Sequence, residues 1–77
     1  MGEKLPAISG QDARKAFERA GFECTRQRGS HMILRHTTPP HRRLVIPDHR
    51  EIAKGTLRAI IRDAGLTVDE FVELLRG

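Results

Sequence analysis

Apolar positions recur along this chain at two different periods. From Ser9 to Ala20 the period is helical. Ala13, Ala16, Phe17 and Ala20 fall on one face, and Arg14, Lys15, Glu18 and Arg19 on the other. Ser9, with Asp12 three residues on, forms a shortened capping box, and Gly21 ends the helix. From Phe22 the period drops to two. Phe22 and Cys24 share one side of a strand that runs to Arg28, and Glu23, Thr25 and Gln27 share the other. Arg28-Gly29-Ser30 reads as a turn, with Gly29 free to take positive φ. His31 to His36 is a second strand. Thr37 to His41 is a loop stiffened by Pro39 and Pro40, and Arg42 to Ile46 is a third strand stopped by Pro47. Helical spacing then returns. Gly55-Thr56 opens a helix with Leu57, Ile60, Ile61 and Ala64 on its apolar stripe, and Gly65 closes it. Thr67 and Glu70 form a full capping box, and Leu66 and Phe71 a hydrophobic staple, for a short last helix to Leu75.

This order, α-β-β-β-α with a short C-terminal helix, implies an α+β fold. Three sequential strands on short turns make an antiparallel meander. Both longer helices have a single apolar face, so the economical packing places them on one side of the sheet as a two-layer sandwich. The other sheet face is then open. If Met32 and Leu34 face the core with Phe22 and Cys24, alternation turns His31, Ile33 and Arg35 outward. The 77 residues suit one domain, 1–77, in which 1–7 is expected to be flexible.

Charge changes the picture in the middle of the chain. From Cys24 to Pro47 there are five arginines and three histidines but not one Asp or Glu. The last fifteen residues carry four acids and one base, so the basic character belongs to the middle of the chain. That balance favours a polyanionic partner. No apolar run approaches the roughly 20 residues that span a bilayer, and the N-terminus lacks the apolar stretch of a signal peptide. Cys24 is the lone cysteine, which fits a reducing cytoplasm.

His31 is the first candidate for chemistry. A histidine at a strand end in a positive field can bind phosphate or move protons near neutral pH. The competing reading is a surface or capping histidine. The histidine spacings do not match the tight pairs of zinc sites, so no metal is expected. Cys24 alternates with Phe22 and reads as a core residue. There is no phosphate loop or dinucleotide fingerprint, and no small-molecule cofactor is expected. Tyr and Trp are absent, and Phe17, Phe22 and Phe71 occupy core-type positions. A stacking platform for bases is therefore missing, and a nucleic acid would be held through its backbone and 2′-hydroxyls.

Several blocks, in this order, resemble one family. They are Ala20-Gly21-Phe22, Arg28-Gly29-Ser30-His31, Val45-Ile46-Pro47-Asp48-His49, Lys54-Gly55-Thr56-Leu57-Arg58-Ala59-Ile60-Ile61, Ala64-Gly65-Leu66 and Glu70-Phe71. The chain is similar to the HicA, or YcfA-like, bacterial toxins. The resemblance implies a fold like that of double-stranded RNA-binding domains. It implies cleavage of mRNA, with His31 at the essential histidine, and neutralisation by a HicB-type antitoxin. His49 falls at a recurrent family position without an assigned role. RNA contacts are then expected at Arg26, Arg28, Gly29, Ser30, Arg35, Arg43 and Lys54, with His31 as general acid or base in a metal-independent endoribonuclease. The acid-free stretch from Cys24 to Pro47 offers no obvious second proton-transfer group. A non-catalytic double-stranded RNA-binding module and a pure protein-interaction module remain open alternatives.

Overall fold

The computed structural model describes residues 5–77. Its elements are α1 (Gly10–Arg19), β1 (Phe22–Arg28), β2 (His31–His36), β3 (Arg43–Pro47), α2 (Lys54–Asp63) and α3 (Val68–Arg76). The strands form one antiparallel sheet in the order β1-β2-β3. Helices and sheet share one core. Phe22, Met32, Leu34, Leu44 and Ile46 supply it from the strands, and Ala13, Phe17, Leu57, Ile61 and Phe71 from the helices. The other sheet face is left to solvent. This is the α+β, double-stranded-RNA-binding-domain-like sandwich that the pattern implies, with α3 as the extra helix.

Local chemistry sets the helix starts. The Ser9 side chain accepts from the Asp12 backbone N–H, and Thr67 and Glu70 close a reciprocal capping box. Phe17 is the hub between layers. Its ring lies edge-on to Phe22 at 5.8 Å and tilted against Phe71 at 4.9 Å, which joins α1, β1 and α3. No helix among the described residues is long and apolar enough to cross a membrane.

The structure departs from the sequence reading in several places. The third strand runs one residue later, Arg43–Pro47, with Pro47 opposite His31. The strand is at the sheet edge, where the missing proline N–H costs no ladder bond. The second helix starts at Lys54, one residue early, behind an Ala53 that gives no side-chain cap. Of the stretch 1–7 expected to be flexible, residues 1–4 lie outside the described residues, and Leu5 is buried in the core. Ile52 is a further core residue, and its N–H donates to the Ile8 carbonyl. Gly10 donates to the His49 carbonyl, and a Cβ on Gly10 would run into the Pro47 carbonyl. The start of α1 thus lies directly on the end of β3, below the hairpin turn.

Candidate nucleic-acid interface

A β-bulge decides which residues share the open sheet face. Straight alternation from Phe22 and Cys24 would turn Arg26 and Arg28 toward the helices. The register instead pairs Cys24 with Leu34 and Arg26 with Ile33, so Thr25 is an extra residue. Beyond it Arg26 and Arg28 point to the same side as Ile33 and His31. Gln27, expected beside Thr25, goes to the opposite side and pairs with buried Met32. The bulge is held locally: the Thr25 hydroxyl donates to the Ile33 carbonyl and the Cys24 thiol to the Arg26 carbonyl.

His31 is exposed at the start of β2, between Arg28 on one neighbouring strand and Pro47 on the other. Gly29, at φ 57, makes the turn that brings Arg28 and His31 opposite each other. The turn is anchored from below, because the Asp48 N–H donates to the Ser30 carbonyl at 2.6 Å. The Asp48 carboxylate accepts from Gln11 on α1 and from Gln27 on β1, both of which lie on the helix side. It is the first carboxylate after the acid-free stretch from Cys24 to Pro47, and its partners hold it on the helix side, where it serves the junction.

Hydrogen bonds separate the four histidines. His36 is half-buried with its ring edge-on to Phe22. Its Nε2 donates to the Ala20 carbonyl, and its Nδ1 accepts from the Thr38 backbone N–H. That pattern fixes the tautomer and makes His36 a clasp between β2 and the end of α1. His41 donates from Nδ1 to the His36 carbonyl. His49 is exposed and contributes its backbone carbonyl to Gly10. His31 is exposed on the open face opposite Arg28, and no hydrogen bond to its ring is seen among the described residues.

The arginines also separate. Arg26, Arg28, Arg35 and Arg43 are exposed on the sheet face; Glu23 stands opposite Arg35 in the ladder, but among the described residues no carboxylate comes within ion-pair distance of them. Arg42 is different: its guanidinium lies over Gly65 and donates to the Asp63 carbonyl at the end of α2. Lys54 is exposed at the head of α2, in the helix layer, and does not belong to the strand face. Near the far end of β2 from His31, an open depression of about 500 Å³ is lined by Thr25, Arg26, Ile33, Arg35, Pro40, His41 and Arg43. The centre of the face is apolar. Val45, 41 % exposed, stands opposite Ile33. Thr25, His41 and Val45 were not legible as site residues. Their signal lies in the bulge, the loop and the register, none of which is a sequence motif.

The arrangement offers a flat cationic surface with an accessible imidazole at one end. Among the described residues, no group of three or more His, Cys, Asp or Glu side chains is placed to hold a metal ion. A family model for the HicA toxin of bacterial toxin–antitoxin systems matches residues 10–66, which takes in α1, the whole sheet and α2. No curated protein matches the chain. The match covers well over half of the sequence, and the chain belongs to the HicA family of toxin–antitoxin toxins.

Proposed function

We propose that this toxin is a metal-independent endoribonuclease that cleaves mRNA, and that a HicB-type antitoxin neutralises it. One observation carries the reading. His31 is exposed on an arginine-rich sheet face, directly opposite Arg28 and at the end of the sheet away from Glu23. Histidine is the side chain that exchanges protons near neutral pH. Guanidinium groups stabilise the charge that builds on a phosphate in flight.

In this reaction the RNA supplies its own nucleophile. His31 takes the proton from a 2′-hydroxyl, and the oxygen attacks the adjacent phosphorus. The P–O5′ bond breaks, and the 5′-oxygen gains a proton. The products are a 2′,3′-cyclic phosphate and a 5′-hydroxyl. Arg28 is the nearest cation along the ladder and would neutralise the pentacoordinate phosphorus. The proton on the leaving oxygen comes from water or from the protonated His31 itself. A single proton-transfer group serving both steps makes a slow enzyme.

The test is cleavage of a structured mRNA by wild type and by His31→Ala, each with and without EDTA. Cleavage by wild type alone, insensitive to EDTA and leaving cyclic-phosphate ends, is the expected result. RNA bound but uncut by wild type would favour a non-catalytic RNA-binding module. Activity lost in EDTA and restored by a divalent ion would overturn the metal-free mechanism.

A further inference from the structure

The depression near the far end of β2 takes no part in the chemistry just described. Arg35 lies four residues beyond His31 on β2, which at about 3.3 Å per residue sets it roughly 13 Å away. One phosphate cannot reach both.

Arg35 stands directly opposite Arg43 in the ladder. Like charges in that position destabilise a sheet. Glu23 stands opposite Arg35 on its other side, but it makes no ion pair with either arginine and does not line the depression. Arg26 reaches the same depression from β1. Three guanidinium groups therefore line one depression beside a single carboxylate, an excess of positive charge that a bound anion would lower. A further polar wall is His41, at φ 58, a left-handed conformation uncommon for a residue other than glycine. Its Nδ1 proton is committed to the His36 carbonyl at 3.0 Å. In the neutral ring, Nε2 is then an acceptor without a partner among the described residues. Ile33 provides an apolar floor. A forked cation for a phosphate, an acceptor for a hydroxyl and an apolar floor together match a ribonucleotide better than a bare anion.

We infer that this depression is a second RNA subsite, which holds a nucleotide flanking the one cleaved at His31. Arg35 and Arg43 clamp its phosphate, and His41 Nε2 accepts its 2′-hydroxyl. Its position next to the cleaved nucleotide rests on the ribonuclease reading, whereas occupancy of the depression does not. The subsite makes affinity depend on RNA length, because only a chain long enough to span the sheet fills both ends.

The experiment uses His31→Ala protein, so that no RNA is cut, and labelled oligouridylates from the dinucleotide to the dodecamer, read by fluorescence polarisation. Affinity should step up once the chain spans the sheet. Adding Arg35→Gln and Arg43→Gln should remove that step, about a tenfold loss for the dodecamer, and should lower the slope of log K against log salt by about 0.7, the value for one single-strand phosphate. His41→Ala should reduce the preference for oligouridylate over its 2′-deoxy counterpart. Arg58→Gln with Arg62→Gln makes the same charge change on exposed positions of α2, and the step should survive it. A smooth rise of affinity with length, or an equal loss for both double variants, would overturn the subsite. The cleavage comparison between wild type and His31→Ala judges the enzyme reading separately. If cleavage does not need His31 and the length step persists, that reading falls and the subsite stands. If cleavage needs His31 and no step is seen, the subsite alone falls.

Discussion

Two histidines at opposite ends of one strand carry different burdens. His31 makes no buried contact, so truncating it opens no cavity, and surface changes of that kind stay within about 0.5 kcal/mol. His36 packs edge-on against Phe22 and bonds at both ring nitrogens. Its loss leaves the half-buried Ala20 carbonyl without its partner, at a cost of about 1–3 kcal/mol. His31→Ala should therefore keep the wild-type melting temperature and lose RNA cleavage by about a hundredfold or more, the range of general acid–base catalysis. His36→Ala should melt several degrees lower and retain cleavage below its transition. Thermal melts beside a cleavage assay check both. A His31→Ala protein that still arrests growth at the wild-type level would sink the catalytic assignment. Residue type and the neighbouring glycine turn were enough to single out His31 in the sequence. The roles of His36 and His41 were not legible, because they depend on which carbonyl each ring meets after the chain has folded.

At the scale of elements, the hydrophobic periods foretold each helix and strand to within a residue or so, since burial on one face is what stabilises each element. They could not foretell the bulge. Period-two reading carries Phe22 and Cys24 forward and turns Arg26 and Arg28 inward, whereas the extra Thr25 resets the phase. Nothing apolar follows Cys24 in β1 to reveal that change. The observed register makes an uncommon prediction about deletion. With Thr25 removed, Cys24 still pairs with Leu34 and Arg26 with Ile33, now in plain alternation. The deletion should cost about 1 kcal/mol for the lost hydroxyl bond and keep Arg26 and Arg28 on the open face. RNA affinity should then fall only modestly. Amide exchange and cross-strand nuclear Overhauser contacts would check it. Contacts that instead pair Arg26 with Leu34 would show that the strand had slipped, and that Thr25 sets the register rather than the phase.

Across the whole molecule, the open sheet face gathers four exposed arginines, whereas α3 is acidic. The open sheet face carries Arg26, Arg28, Arg35 and Arg43 around Val45 and Ile33 against a single acid, Glu23, while Asp69, Glu70 and Glu73 lie on α3, which packs in the helix layer. A partner that silences this toxin gains most from the cationic face. Carboxylates would meet Arg26, Arg28, Arg35 and Arg43, and an apolar contact on Val45 would supply the dry centre that interfaces favour. Opposite potentials would also speed the encounter at low salt. Such a partner would cover His31 and the depression beyond it together, and would block RNA without moving any element of the fold. An acidic partner would be repelled by α3. On adding the cognate antitoxin, amides of the Gly29-Ser30-His31 turn and of edge strand β3 should become protected from exchange. Bound antitoxin and the oligouridylate dodecamer should also exclude each other, with an association rate that falls as salt rises. Protection confined to residues 66–77, with the turn still exchanging freely and RNA still bound, would reject direct blocking and place the antitoxin on the helix layer, where inhibition would have to pass through the Phe71–Phe17–Phe22 contacts to reach the sheet.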